Sequence, residues 1–221
     1  MHTERKIQGI IFDLDGVLVH TDHFHYQAWK QLADEKKIYF DETINNRLRG
    51  VSRMTSLEIL LERYEGPALG NEEKFQMAEK KNGIYRKLLE TMTPDDVTDE
   101  VRQTLVELKK RGYRLAVGSS SKNAKYILEK TALTDVFDAI SDGTNITRSK
   151  PDPEVFCKAA QYLELQPENC MVVEDAPAGI DAAKAGGMLA AGIGEAAAYE
   201  KTDERLRQFG DLIETVEKYG K

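Results

Sequence analysis

The stretch IQGIIFDLDG, residues 7–16, decides the fold of this chain. Its first part, residues 7–12, is apolar and β-branched without helical spacing, which predicts a buried strand. The DLDG sequence that follows predicts a turn, in which the glycine relieves the backbone. Asp13 and Asp15 therefore stand at the carboxyl end of the strand, where one carboxylate can attack phosphorus and the other can move a proton. Taken alone, the two aspartates could equally be turn-forming residues.

Downstream of Thr93, two kinds of pattern alternate. Short apolar runs predict strands at residues 114–117, near Ala139, at 170–174 and at 188–193. Helical spacing predicts helices at residues 101–110, 122–130, 153–163 and 178–185. Such alternation is typical of a parallel sheet with helices on both faces, which binds its ligands beyond the carboxyl ends of the strands. The charged tail, residues 199–221, offers only Leu212, Ile213 and Val216 for packing.

A helical segment interrupts this alternation. From about Thr21 to Met92 the apolar residues recur at helical spacing only. They are Ala28, Trp29, Leu32, Leu57, Leu60, Leu61, Phe75, Met77, Tyr85 and Leu88. We therefore predict an α/β protein with a Rossmann-like, doubly wound parallel sheet core, residues 1–16 and 93–221, and an inserted helical cap domain, residues 17–92.

A second pair of carboxylates, Glu174 and Asp175, follows the predicted strand at residues 170–174. In a parallel sheet this strand ends on the same edge as Asp13, so the carboxylates are expected to converge. Two like charges about 4 Å apart cost on the order of 4 kcal/mol at an effective dielectric constant of about 20, so the cluster needs a cation. Oxygen ligands without histidine or cysteine favour Mg²⁺ over zinc. A helix cap is the alternative for Asp175 alone.

Two further segments suggest an anion site. GSSSKN, residues 118–123, follows a predicted strand and opens a helix, where hydroxyls and free N–H groups attract anions. Serine at that position is also an ordinary helix cap. Lys150 precedes another helix in the sequence KPDP and could place an ammonium against a phosphoryl group. A lone lysine before proline is more often a solvated loop charge.

Composition and charge exclude other classes of protein. The 221 residues are 41% hydrophobic and 31% charged, with a formal net charge of −7, so the concentrated basic surface of a nucleic-acid binder is not expected. No apolar stretch reaches the roughly 20 residues of a membrane helix, and residues 1–9 lack the apolar segment of a secretory signal. Cys157 and Cys170 lie in apolar contexts, which predicts reduced thiols and a cytoplasmic protein.

In chain order, DLDG, GSSSKN, SKPDP and EDAPAGI resemble the haloacid dehalogenase superfamily over nearly the whole chain. The resemblance implies that Asp13 is the nucleophile and Asp15 the general acid and base. It also implies that Ser119 and Lys150 hold the transferring phosphate. The implied Mg²⁺ ligands are the Asp13 side chain, the Asp15 carbonyl, Glu174 and Asp175.

The helical insertion is similar to that of the β-phosphoglucomutase family, in LRGVSRMTSL at residues 48–57 and HYQAW at residues 25–29. This resemblance implies interconversion of β-glucose 1-phosphate and glucose 6-phosphate through an aspartyl phosphate, with glucose 1,6-bisphosphate as activator and intermediate. Thr21 would lie at the hinge, and His25 would align Asp15. Arg53 would bind the second phosphate bidentately together with Ser121, Lys122 and Asn123. The remaining predicted substrate contacts are Trp29, Arg49, Gly50, Val51, Ser56 and Ser120.

Two positions depart from the family pattern. Arg49 stands where lysine is usual in the family, and residues 98–100, TDE, stand where relatives usually carry Pro-Gly before the next helix. The nearest alternative is a Mg²⁺-dependent sugar-phosphate phosphatase on the same fold. More distant alternatives are a dinucleotide-binding module, suggested by GIGEAA at residues 192–197, and a non-catalytic phosphate-binding protein. The expected partner is a small sugar phosphate, with no nucleic acid or membrane, and the protein is expected to be a monomer.

Overall fold

The computed structural model describes residues 6–48 and 51–220. Within these residues the chain forms six strands and nine α-helices. The strands are β1 (Gly9–Phe12), β2 (Arg114–Gly118), β3 (Ala139–Ser141), β4 (Cys170–Glu174), β5 (Leu189–Gly192) and β6 (Glu204–Arg205). The helices are α1 (Asp22–Lys36), α2 (Glu42–Asn46), α3 (Arg53–Leu61), α4 (Asn71–Leu89), α5 (Asp99–Lys110), α6 (Ala124–Lys130), α7 (Glu154–Tyr162), α8 (Pro177–Ala185) and α9 (Leu212–Glu217).

The strands form one parallel sheet in the order β3-β2-β1-β4-β5-β6. The predicted α/β fold with a Rossmann-like parallel sheet is thereby confirmed. β1 lies between β2 and β4, and Phe12 is in register with Val117 on one side and Val173 on the other. The chain segments that follow β1, β2 and β4 therefore leave the sheet at the same edge.

Two compact units make up the chain. The core unit comprises the residues up to His20 and those from Thr93 onward, and the helical unit comprises Thr21–Met92. The short segment after DLDG belongs to the core unit, because Val19 forms a parallel bridge with Asp15 and its N–H donates to the carbonyl of Leu14. No helix among the described residues is both long and apolar enough to cross a membrane.

Helices α7 and α8 pack against the sheet and bury its apolar residues. Ile11, Val172, Phe156 and Ile180 are completely buried in this cluster. Such burial contributes roughly 1.5–3 kcal/mol for each large apolar side chain. Because β1, β4, α7 and α8 are fixed by the same apolar cluster, the loops that follow the two strands start from a rigid base.

The tail packs more than the sequence suggested. The interpretation that only Leu212, Ile213 and Val216 are available was wrong, because Leu206 and Phe209 are buried as well. The ring of Phe209 stacks on that of Phe12 with 5.7 Å between centroids. Periodicity does not reveal these two residues, because Leu206 follows a two-residue strand and Phe209 begins a short 3-10 turn within a charged segment.

The sequence TDE at residues 98–100 has a local structural role. Thr98 is the N-cap of α5, and its hydroxyl accepts a hydrogen bond of 3.3 Å from the N–H of Val101. Asp99 and Glu100 occupy the first turn of α5, where negative charge is favoured by the helix dipole. The chain thus begins this helix with a threonine cap.

The helical unit has its own apolar core. Trp29 and Leu32 of α1 are buried with Leu57 and Leu60 of α3 and Met77 of α4. The helical prediction for this segment agrees with α1 to α4, although Phe75 remains 51% exposed. This apolar cluster therefore connects α1, α3 and α4 within the unit.

Candidate active site

Two strand ends bring the carboxylates together. The N–H of Asp13 donates to the carbonyl of Val173 (2.9 Å), which continues the pairing of β1 with β4 by one residue. Carboxylate oxygens of Asp13, Glu174 and Asp175 lie within 4.8 Å of one another, and all three side chains are buried. Asp15 is not part of this group, although its charge contributes to raising the pKa of Asp13.

Lys150 reaches this cluster from the loop between β3 and α7. Its Nζ donates to Asp13 Oδ1 at 2.5 Å and to Glu174 Oε1 at 2.6 Å, and lies 4.6 Å from the ring centroid of Phe156. Only 4% of the residue is exposed, so the interpretation of Lys150 as a solvated loop charge is wrong. Burial disfavours the charged ammonium, but Asp13 and Glu174 outweigh it and raise the pKa of Lys150.

The pKa of Asp13 is raised well above its ordinary value. Burial is the largest cause; Lys150 opposes it, and the carboxylates of Glu174, Asp175 and Asp15 reinforce it. Three buried carboxylates thus face one ammonium group, which leaves an excess of negative charge. A buried excess of this kind requires a further cation or a proton.

The donor set suits a hard divalent cation. All side-chain donors in the group are carboxylate oxygens, the ligands that Mg²⁺ prefers, and none is histidine or cysteine.

Two glycines leave room around the carboxylates. A Cβ on Gly179 would lie 1.8 Å from Glu174 Oε1, and one on Gly16, at φ +84°, would lie 2.1 Å from Asp175 Oδ2. The residues present therefore fit a magnesium site.

Capping does not explain the second carboxylate pair. The N-cap of α8 is Ala176, not Asp175, and Pro177 is the first helical residue. Glu174 Oε2 accepts the N–H of Ala176 at 2.8 Å, which fixes this side chain from the other end. Glu174 is thus held between Lys150 and the start of α8.

The GSSSKN loop follows β2, beside the end of β1. Ser119 is buried; its N–H donates to the carbonyl of Ser141 at 3.0 Å, and its Oγ accepts the N–H of Ser121 at 3.1 Å. Ser121 Oγ in turn accepts the N–H of Asn123, the N-cap residue of α6. These bonds occupy N–H groups that the sequence analysis expected to be free. The Oγ of Ser120 is buried with no hydrogen-bond partner in the described part of the chain, so it remains available to a ligand.

Within the helical unit, the half-buried His25 contacts a cluster of buried side chains. Its Nδ1 is 2.8 Å from Lys81 Nζ, and its ring stacks on Tyr85 with 4.0 Å between centroids. Tyr85 donates to the hydroxyl of the buried Thr21 at 3.1 Å. The ammonium of Lys81 lies 4.9 Å from the ring of Trp29 and 4.6 Å from that of Tyr85. Lys81 was not predicted from the sequence, because a lysine within a run of charged residues on a helix gives no signal of burial.

Arg53 is the first residue of α3 and forms a salt bridge with Glu79 of α4. Ser52 caps the helix by accepting the N–H of Thr55 at 3.1 Å. Of the other predicted substrate contacts in this unit, Ser56 and Trp29 are buried and Val51 is partly exposed. The predictions for Arg49 and Gly50 lie outside the described residues.

The surroundings of His25 lead to a measurable prediction. Burial, followed by the charges of Lys81 and Arg53, holds the pKa of His25 well below 6.5. We expect Lys81→Met to raise this pKa, because the substitution removes a cation bonded to Nδ1. A pH titration of the imidazole by ¹H–¹⁵N NMR measures it. Lys80→Met is the control, since Lys80 pairs with Glu35; an equal response in both variants would contradict the assignment.

The same shift has a consequence for stability. In the unfolded chain His25 regains its ordinary pKa and binds a proton as the pH falls below about 6.5. The folded state does not bind that proton until a lower pH, so stability is lost as the pH falls through the interval between the two pKa values.

This chain matches a known protein family and is similar to several known proteins. The haloacid dehalogenase-like hydrolase family matches residues 7–187. The chain is 40% identical to a β-phosphoglucomutase of Bacillus subtilis over 207 residues, which cover 93% of this chain and 92% of that protein. A crystal structure of β-phosphoglucomutase from Clostridium difficile superposes with a TM-score of 0.90 at 36% identity, covering 96% and 97% of the two chains. A phosphorylated carbohydrates phosphatase of Thermotoga maritima is 28% identical over 82% of each chain.

Proposed function

Because this chain belongs to the haloacid dehalogenase-like hydrolase family and, within it, to the β-phosphoglucomutase family, we propose that it interconverts β-glucose 1-phosphate and glucose 6-phosphate. The observation that carries the proposal is the buried cluster in which Lys150 bonds both Asp13 and Glu174. A nucleophilic carboxylate beside a buried lysine and two further carboxylates is the arrangement that phosphoryl transfer to an aspartate needs.

We propose that Asp13, Glu174 and Asp175, with the main-chain carbonyl of Asp15, hold Mg²⁺. When bound, the cation would neutralise the carboxylates and the negative charge that develops on the transferring phosphoryl group. The support for this assignment is the all-oxygen donor set and the space left by Gly16 and Gly179.

In the proposed cycle, the 6-hydroxyl of β-glucose 1-phosphate attacks the phosphorus of phosphorylated Asp13 and loses its proton to Asp15. The bond between phosphorus and Asp13 breaks, which yields β-glucose 1,6-bisphosphate and the free carboxylate. After the bisphosphate has turned around, Asp13 attacks its 1-phosphoryl group, and Asp15 returns the proton to the departing oxygen. The products are glucose 6-phosphate and phosphorylated Asp13, so atoms and charge balance over the cycle.

The other residues bind and orient. Lys150 and Ser119 would hold the oxygens of the transferring phosphoryl group, where charge increases in the transition state. Arg53 would bind the second phosphate through its planar fork, with Ser121, Lys122 and Asn123. Thr21 would lie at the hinge, and His25 would align Asp15. The remaining proposed sugar and phosphate contacts are Trp29, Arg49, Gly50, Val51, Ser56 and Ser120.

One coupled assay tests the proposal. With Mg²⁺ and a trace of β-glucose 1,6-bisphosphate, we expect the protein to convert β-glucose 1-phosphate to glucose 6-phosphate. The coupling enzyme glucose 6-phosphate dehydrogenase measures the product. Inorganic phosphate is measured in the same samples. Release of phosphate without glucose 6-phosphate would assign the protein to the sugar-phosphate phosphatases, a class that is also found among its relatives.

Arg53→Ala should distinguish binding of the second phosphate from phosphorylation of Asp13. We expect mutase kcat/KM to fall about 100-fold, because a bidentate charged contact to phosphate is lost, while phosphorylation of Asp13 by acetyl phosphate is spared. Arg47→Ala is the matched control, since it also removes a salt bridge of the helical unit, with Glu62. Equal loss of both activities in the Arg53 variant would assign Arg53 to folding instead.

The remaining expectations stay predictions. Cys157 and Cys170 are free, which supports our proposal of a cytoplasmic protein. We propose from composition and charge that the protein binds neither nucleic acid nor membranes. A small sugar phosphate as the partner follows from the family, and a monomer is proposed from the two-part layout. The dinucleotide-binding alternative loses its support, because residues 194–198 after β5 form a 3-10 helix and not the α-helix that such a site requires.

A further inference from the structure

The loop that carries Lys150 is attached to α7 through one carboxylate. Glu154, the first residue of α7, accepts three hydrogen bonds from the loop at a single oxygen, Oε2. The donors are the N–H of Thr147 at 3.0 Å, the hydroxyl of Thr147 at 2.9 Å and the N–H of Arg148 at 2.8 Å. Arg148 precedes Lys150 by two residues, so these bonds fix the backbone just before the lysine.

Glu154 is itself held on a rigid element. The next residues of α7, Val155 and Phe156, are completely buried against the sheet. The side chain of Glu154 is 13% exposed, and its second oxygen, Oε1, pairs with Lys158 Nζ at 2.9 Å. Lys158 also donates to the carbonyl of Asn145, earlier in the same loop. Both oxygens of the carboxylate thus help to join the loop to α7. Oε2 bonds the loop directly, and Oε1 bonds Lys158, which in turn bonds the loop.

Charge favours this arrangement. Lys158, the N–H groups of Arg148 and Thr147 and the Thr147 hydroxyl lower the pKa of Glu154 to about 2, although burial opposes them. The group is therefore ionised at neutral pH, and it lies in the first turn of a helix, where negative charge is stabilised. Hydrogen bonds to a charged acceptor are stronger than those between neutral groups.

Lys150 depends on this attachment, because its long side chain makes short hydrogen bonds that tolerate little movement of the backbone. Lys150 Nζ must reach two carboxylates at 2.5 and 2.6 Å across four rotatable side-chain bonds. A backbone shift of about 1 Å is enough to break such contacts and to cost about 100-fold in rate. We propose that Glu154 is a positioning residue that holds the 147–150 loop so that the Lys150 ammonium stays between Asp13 and Glu174.

The catalytic consequence rests on the proposed function, and kinetics test it. We expect Glu154→Ala to lower kcat 10- to 100-fold with KM changed less than about threefold, because Lys150 acts on the transferring group. Glu154→Gln keeps an acceptor oxygen and should recover most of the loss. Asp203→Asn is the matched control, since Asp203 likewise accepts a backbone N–H, of Ala190, and pairs with a lysine, Lys184. It should retain parental kcat.

A second measurement does not depend on any substrate. A buried, paired ammonium exchanges its protons slowly, so ¹H–¹⁵N spectra selective for lysine side chains should show a Lys150 signal, identified by its loss in Lys150→Met. We expect Glu154→Ala to shift or broaden this signal, and Glu154→Gln and Asp203→Asn to keep it. An unchanged signal in folded Glu154→Ala would overturn the proposal. If the parent protein shows the expected Lys150 spectra but no mutase activity, the proposed function fails while the role of Glu154 stands.

Discussion

Asp13→Asn is expected to lower mutase kcat by about 10⁴-fold or more, because the amide is not a nucleophile and no phosphoryl-aspartate can form. The neighbouring carboxylates cannot substitute for it. Glu174 is bonded to Lys150 and to the N–H of Ala176, which leaves it poorly placed to attack. The coupled glucose 6-phosphate assay measures the loss, and mass spectrometry after incubation with acetyl phosphate should show no added phosphoryl group.

The loss should occur in a folded protein. Burial raises the pKa of Asp13, so a neutral amide at this position removes an unfavourable buried charge and should leave the midpoint of thermal unfolding equal to or above that of the parent. Asp181→Asn is a suitable control, because it removes a surface carboxylate that accepts hydrogen bonds from Lys201 and Tyr199. Turnover of Asp13→Asn at the parental rate would refute both the nucleophile and the mechanism.

Gly179→Ala is expected to have the second largest effect. The added Cβ would lie 1.8 Å from Glu174 Oε1 and 2.0 Å from its Cδ, so the carboxylate has to leave its position. Glu174 is almost completely buried, and moving it breaks its bond to Lys150. We expect kcat to fall about 100-fold and the free energy of unfolding to fall by about 3 kcal/mol.

Gly83→Ala provides the matched control for this substitution. Gly83 lies inside α4 as Gly179 lies inside α8, and a Cβ on Gly83 would meet nothing within 4 Å. This change should stabilise the protein by about 0.5–1 kcal/mol through helix propensity alone. Chemical denaturation gives the two free energies, and isothermal titration with Mg²⁺ follows the metal site. Parental magnesium affinity and activity in Gly179→Ala would show that Glu174 does not belong to the metal site.

The sheet could be predicted from the sequence because its signals are local. The apolar runs before DLDG and before Glu174 mark strands that are buried on both faces, and helices of suitable length separate them. The rule that parallel strands end on one edge then placed Asp13 beside Glu174 and Asp175 before any coordinates were known. The observed boundaries of the predicted strands differ from the predicted ones by only a residue or two. β1, for example, begins at Gly9 and not at Ile7.

The burial and the contacts of other residues depend on distant parts of the chain and had no local signal. Lys150 precedes proline in a polar loop, which is typical of a solvated charge, yet it is buried between two carboxylates from other strands. Lys81 lies in a charged helix and nonetheless contacts a histidine 56 positions earlier. Phe209 packs on Phe12, although the two residues lie near opposite ends of the sequence. The energy of each such contact is set by tertiary neighbours, which periodicity does not report.

The central place of β1 in the sheet has a consequence for synthesis on the ribosome. This strand is made first among the six, but its two partners begin only at Arg114 and Cys170. At 5–20 residues per second, roughly 10–30 s pass between translation of Phe12 and of its second partner. Both edges of this wholly apolar strand stay open until β2 is made, and one edge stays open until β4 is made, so we expect the nascent chain to need chaperone protection until β4 has emerged.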